Sequence, residues 1–229
     1  VVGARRTAEE LGRAFPGTAV ITSGGDAMVS EVPAAPALVV ATPGAEPMAL
    51  GGYGAALLLD GWALLGRQDL RASEDAMRRW MAAAALVRRR GDGGVVVVVA
   101  ESAIPTVQAL VRWDPVGHAE SELAARAEVG LPPAVHLAAV DGAPAAVMAL
   151  LQTAHLPDGA DVLGPVELPP GARRPPGTES EADVSRILVR VPRDGGLGLA
   201  SALRRATGVF SARHDQPPVR VQIDPLHIG

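Results

Sequence analysis

Arginine carries all of the fixed positive charge in this 229-residue chain: there are 21 arginines and no lysine. The runs that are candidates for nucleic-acid contact are Arg88, Arg89 and Arg90; Arg173 and Arg174; and Arg204 and Arg205. Adjacent guanidinium groups suit phosphate recognition, and such contacts are salt-sensitive and indifferent to base sequence. Three glycine clusters are the second feature: Gly51-Gly52-Tyr53-Gly54, Gly91-Asp92-Gly93-Gly94 and Gly195-Gly196-Leu197-Gly198. The last falls between a predicted strand and a predicted helix, where backbone amides could cradle a phosphate, but its spacing is incomplete and a plain turn accounts for it. A complete P-loop cannot exist without its lysine.

Other constellations are weaker. His118 and Glu122 stand four residues apart on one predicted helix, but no third metal ligand is apparent and a solvated pair suffices. Ser211, His214 and Asp215 are close in sequence, with nothing to place an oxyanion hole or a strained nucleophile turn beside them, so they read as a loop. The absence of cysteine excludes disulfides, thiolate metal sites and cysteine nucleophiles within these residues. Of the aromatics, Phe15, Tyr53, Trp62, Trp80, Trp113 and Phe210, most sit at core-like spacing, which leaves few platforms for base stacking.

Composition sets the outer bounds. Hydrophobic residues make up 48% of the chain and 42 residues are alanine, a globular composition. The missing lysine and asparagine fit the codon bias of a GC-rich genome. A net charge of −4 argues against coating nucleic acid by bulk charge. No uncharged apolar run approaches the roughly 18 residues of a membrane span. The opening Val1-Val2-Gly3 reads as the tail of a strand rather than a signal peptide, so a C-terminal piece of a longer polypeptide is expected.

The elements that would position these groups divide in two. In residues 1–115, Thr7-Ala8-Glu9-Glu10 has the form of a capping box. Ala19–Thr22, Ala37–Thr42, Ala55–Leu59 and Gly94–Ala100 read as strands buried on both faces, and their alternation with helices indicates a parallel α/β sheet. Ser73 is expected to cap the longest helix, with Glu74 and Asp75 in its first turn and Arg88–Arg90 in its last. That placement offers a purely structural reading of the arginine triplet. In residues 116–229 a helix over Val116–Glu128 precedes a β-α-β-β-α-β order: Val135–Val140, Pro144–His155, Asp161–Val166, Arg186–Val191, Leu197–Thr207 and Val219–Ile223. This is the split-βαβ arrangement, a small α+β sandwich with a four-stranded antiparallel sheet and two helices on one face. Glu167–Asp183 reads as a long loop.

Ordered short strings then resemble a known family. Asp69-Leu70-Arg71-Ala72-Ser73-Glu74-Asp75 is similar to the DFRASER segment of the primosomal protein N′ family, the replication-restart helicases. Ala41-Thr42-Pro43-Gly44 falls at its GTQM. Arg126 to Pro133 (RAEVGLPP) resembles its RREAGYPPF, Val162-Leu163-Gly164-Pro165-Val166 its VLGPVPAP, and Ile223-Asp224-Pro225-Leu226 its VDPL ending. The resemblance implies a partial, RecA-like second helicase lobe over residues 1–115 and the C-terminal α+β domain over residues 116–229. It also implies forked or single-stranded DNA, single-stranded-DNA-binding protein and primosome components as partners, and a monomeric cytoplasmic protein. Zinc and ATP are implied for the full-length protein, with no cofactor in these residues.

The departures matter as much. Where the family's last helicase motif reads QVAGRAGR, this chain has Ala83-Ala84-Ala85-Leu86-Val87-Arg88-Arg89-Arg90. The glutamine is Ala83, the first arginine is Val87, and only Arg90 stands as a remnant arginine finger. A cationic finger stabilises charge on the transferred phosphoryl group, and valine cannot. The family's GKGHDF-like loop is replaced by Met48 to Gly54. A replication-restart protein that recognises forked DNA and scaffolds the primosome, without helicase activity of its own, is therefore expected. The alternative is an active ATP-dependent 3′–5′ helicase in which Arg90 or a neighbour substitutes for the lost finger.

Overall fold

The computed structural model describes residues 3–59, 61–169, 171–178, 183–213, 216–226 and 228. The chain separates into two compact units, Val1–His118 and Ala119–Gly229.

The first unit opens with α1 (Ala4–Ala14), β1 (Ala19–Ser23), β2 (Glu31–Val32), β3 (Ala37–Ala41), β4 (Met48–Ala49) and β5 (Ala55–Leu58). It continues through α2 (Gly61–Leu65), α3 (Ala72–Ala85), β6 (Val95–Val98) and α4 (Pro105–Arg112); the division between units falls within α5 (Pro115–Glu128). Strand pairing is parallel throughout, in three separate pairs: β1–β3, β2–β4 and β5–β6. Leu58 of β5, Ala76, Met77 and Trp80 of α3, and Val107 and Leu110 of α4 make the core of this unit.

Four sequence expectations need correction here. The capping box of Thr7 and Glu10 does not form, because Glu10 is taken up by Arg6 at 3.1 Å and α1 begins earlier, with Gly3 at its N-cap. Ser73 does not cap α3: Arg71 holds the N-cap position, Asp69 accepts its amide hydrogen at 2.9 Å, and Ser73 lies inside the first turn. The helix also stops at Ala85, before the arginine triplet, and has no basic residue in its last turn. At that point Tyr53 draws the chain into extended pairing: its amide donates to the Leu86 carbonyl and its carbonyl accepts from Arg88, both at 2.9 Å. Dipole compensation therefore does not explain Arg88–Arg90. Finally, two-sided burial fails for β5–β6: Leu58 is buried, whereas Leu57 on the opposite face is 64% exposed. No helix of the described residues covers that side.

In the second unit, β7 (Val135–Gly142), α6 (Pro144–Thr153), β8 (Asp161–Glu167), β9 (Ser185–Pro192), α7 (Gly196–Ser211) and β10 (Val219–Ile223) follow the tail of α5. The sheet is antiparallel, in the order β10-β7-β9-β8, as the split-βαβ reading requires. Proline at N1 starts α6, where its missing N–H costs nothing. Ala138 and Val140 of β7 and Ile187, Val189 and Val191 of β9 alternate onto one face, where they meet Val147 and Leu150 of α6 and Leu199, Leu203 and Phe210 of α7. Both helices therefore lie on the same side. At 16 residues α7, not α3, is the longest helix described.

The other sheet face holds a charged row. Arg220, Asp141 and Arg186 are direct cross-strand partners on β10, β7 and β9. Arg186 clamps the Asp141 carboxylate with Nε and Nη2 at 2.8 and 3.0 Å, and Arg220 Nη1 approaches it at 3.5 Å. Both Asp141 and Arg186 are fully buried. The outermost strand, β8, is exposed along all seven residues and loses register with β9 between Leu163 and Val166. Gly164 there has φ +110°, and a Cβ on it would fall 3.0 Å from the Arg186 carbonyl oxygen, so only glycine fits.

Candidate nucleic-acid interface

Arg88 and Arg89 sit on a cleft of about 490 Å³ that is also lined by Met48, Ala49, Gly51, Gly52, Ala85, Leu86, Val87 and Asp92. The structure thus brings together the two segments that depart most from the family's helicase motifs, Met48–Gly54 and Ala83–Arg90. Tyr53 joins them. Its backbone pairs with Val87, and its hydroxyl donates to the Pro47 carbonyl at 2.8 Å. Burial, with a smaller contribution from the Glu46 charge, raises the phenol above its ordinary pKa.

Close backbone approach shapes this cleft. Gly51 and Gly52 have φ of +81° and +77°, and a Cβ on Gly52 would lie 3.2 Å from the Leu86 carbonyl oxygen. Arg88 Nε donates to the Gly52 carbonyl at 3.1 Å. On the far side, a Cβ on Gly94 would fall 1.9 Å from the Arg88 carbonyl oxygen, so the turn that presents these arginines needs glycine at 94. Val87, at the place of the family's first arginine, lines the cleft with an apolar side chain. Arg90 begins a short 3-10 turn, Arg90–Asp92, is exposed, and is not among the cleft residues.

The other predicted arginines lie in the second unit. Arg204 and Arg205 are adjacent and exposed on the outer side of α7, with Leu197, Ser201 and Val209 also exposed on that helix. Neither α6 nor α7 contains an acidic residue. Arg173 is exposed in the loop after β8, and Arg174 beside it is partly buried. The glycine cluster at residues 195–198 opens α7, and Gly196 packs against the His136 ring, where a Cβ would come within 2.6 Å. His136 Nδ1 is 2.8 Å from Asp224 Oδ2, and the other Asp224 oxygen accepts from the Leu137 amide. That aspartate belongs to the Ile223-Asp224-Pro225-Leu226 string, which is thereby given a structural role in fixing the C-terminal strand.

A second cleft, of about 530 Å³, was not foreseen. Glu128, Gly130, Asp161, Arg190 and Arg193 line it. Arg190 pairs with Asp161 at 2.7 Å and donates to the Val129 and Gly130 carbonyls at the end of α5, while Arg193 donates to Pro133. Arg186 and Arg190 lie on the same face of β9, and spacing alone does not separate a solvated arginine from a buried one. The aromatics also differ from expectation: Trp80 and Phe210 are buried, but Phe15, Trp62 and Trp113 are 52%, 63% and 53% exposed. Exposed rings are therefore present in the first unit.

His118 is buried, and Glu122 pairs with Arg126 at 3.2 Å rather than with it. Among the described residues no group of three or more His, Asp or Glu side chains could hold a metal ion. His214 and Asp215 lie outside the described residues. The chain carries no cysteine thiolate of a cysteine-rich zinc site and no P-loop lysine. No helix of the described residues is long and apolar enough to cross a membrane.

A mixed α/β first unit followed by a split-βαβ domain defines the architectural class. Residues 127–226 match the primosomal protein N C-terminal domain. The chain is 71% identical over its full length to a probable replication restart protein PriA of Mycobacterium tuberculosis, and 72% identical to that of Mycobacterium leprae. It belongs to the primosomal protein N family and corresponds to the C-terminal portion of its members. The chain spans 36% and 35% of the length of these two relatives.

Proposed function

We propose that the chain is the C-terminal part of a replication restart protein that recognises forked DNA and scaffolds the primosome without hydrolysing ATP. The relatives' name, replication restart protein, supports the restart role. The observation that carries the absence of a motor is Val87, which stands at the family's first finger position, lines the cleft and is held there by pairing with Tyr53. An apolar side chain there cannot stabilise a transferring phosphoryl group. In this reading residues 1–115 are a RecA-like second helicase lobe kept as a platform. Arg88, Arg89 and Arg90 on the first unit, and Arg173, Arg174, Arg204 and Arg205 on the second, contact DNA phosphates. Single-stranded-DNA-binding protein and primosome components are the protein partners, the protein is a cytoplasmic monomer, and zinc and ATP sites belong to other parts of the polypeptide.

DNA-stimulated ATPase of the full-length protein tests this reading. Turnover is expected to stay at background with forked and single-stranded DNA. Robust turnover abolished by Arg90→Ala would instead establish the helicase alternative.

A further inference from the structure

Among the described residues, two that are not glycine have positive φ, Trp113 at +56° and Asp224 at +45°. Aspartate tolerates that conformation, and Asp224 is held in it: its amide donates to the Leu137 carbonyl at 2.7 Å, and its carboxylate accepts from the Leu137 amide and meets His136. Trp113 has no such return. It stands where α4 ends: its amide donates to the Leu110 carbonyl at 3.0 Å, and the Asp114 amide to that of Ala109 at 2.9 Å, the paired bonds of a Schellman stop. Glycine makes both bonds equally well, without the steric cost that a Cβ incurs there. Burial does not repay that cost either, since Trp113 is 53% exposed. A strained backbone that holds a large ring in water points to a use for the ring.

We infer that the Trp113 indole is a stacking platform for an unpaired base of single-stranded DNA, with Arg112 beside it taking the phosphate. This rests on the reading of the chain as part of a DNA-binding protein, and adds to it a residue that tells single strands from duplex. Base faces are buried inside a duplex and open in a single strand, so an exposed indole takes the second and not the first. Arg112 is exposed, and its bond to Gln108 Oε1 at 3.1 Å uses one of its five N–H donors. The neighbouring carboxylate opposes a phosphate only weakly. Asp114 Oδ1 accepts the Gly117 amide at 2.8 Å in the first turn of α5, where the helix dipole offsets its charge. A guanidinium next to an aromatic ring is the pairing that single-strand binders use along a strand. The other exposed rings of this unit, Phe15 and Trp62, have no charged neighbour in sequence.

Fluorescence anisotropy of the full-length protein with labelled oligo-dT and with a blunt duplex tests this, using Trp113→Gly and Trp113→Phe. In Trp113→Gly the oligo-dT affinity is expected to fall about tenfold, while duplex affinity and the salt dependence of binding hold, because stacking releases no counterions. Its thermal midpoint is expected not to fall, because glycine relieves the backbone. Trp113→Phe keeps an aromatic face and should retain most of the oligo-dT affinity. Unchanged oligo-dT affinity in Trp113→Gly would overturn the inference and leave a protein as the partner of the ring. Equal loss of both DNA forms, or a lower thermal midpoint, would overturn it too, by making Trp113 a structural residue. Binding of neither DNA by the unaltered protein would overturn the DNA reading itself, and this inference with it.

Discussion

Asp141 is a carboxylate with no access to water, held by two guanidinium nitrogens of Arg186 and flanked by Arg220. Removing one partner of a buried pair leaves the other charge desolvated, which costs more than the pair contributes. Arg186→Ala is therefore expected to destabilise the protein by about 3 kcal/mol, the low end of the usual range because Arg220 remains close. Replacing both partners, Asp141→Leu with Arg186→Met, should cost much less. Chemical denaturation of the three proteins checks this, and equal losses would show that the pair is not the source. Gly94 poses a different constraint. In Gly94→Ala the new methyl group meets the Arg88 carbonyl oxygen, a backbone atom that cannot swing aside. The turn from Arg89 to Gly94 must then open, and DNA affinity mediated by Arg88 and Arg89 should fall about as far as in Arg88→Ala with Arg89→Ala. Fork-binding titrations of both variants make the comparison.

The segment between α2 and α3 is fixed by Arg67, which donates to Leu64 at the end of α2 and to Asp75 in the first turn of α3. The hydrogen bond from Arg67 holds the Asp75 carboxyl below its usual range; partial desolvation works against it, and the charges of Arg67 and Arg78 add to it. A carboxylate with a depressed folded pKa binds fewer protons folded than unfolded, so stability rises with pH across that interval. Its contribution is complete above the unfolded value of about 4 and is lost as pH falls through the folded one. Thermal midpoints measured between pH 3 and pH 7 should show a shallower acid decline for Asp75→Asn, and an unchanged decline would remove Asp75 from the account. The second unit was legible because β7 and β9 keep clear apolar runs and α6 has a local start signal in Pro144. The end of α3 was not, because a residue over thirty positions away, Tyr53, decides where the helix gives way to extended chain. The arginine clusters were visible by type alone. Which of them face a cleft, and that Arg186 is buried while Arg190 is clamped by Asp161, depends on strand register that spacing does not specify.

Net negative charge coexists here with exposed arginines on α7, a helix that carries no acid. Local charge, rather than net charge, governs phosphate contact, and each neutralised phosphate adds to the salt dependence of binding. Fork binding by the full-length protein should weaken linearly in log affinity against log salt. Arg204→Ala with Arg205→Ala should reduce that slope by about 1–2. An unchanged slope would remove α7 from the interface, and a slope near zero in the unaltered protein would remove phosphate contact altogether. The outer strand β8 has a consequence for how such a molecule behaves at high concentration. A bare strand edge is a template on which further chains can add by backbone hydrogen bonding. Here Pro165 removes one donor from that row, and the irregularity at Gly164 bends it out of line. An incoming strand meets an interrupted ladder, so a sheet that leaves its last strand in water is still a poor seed for aggregation.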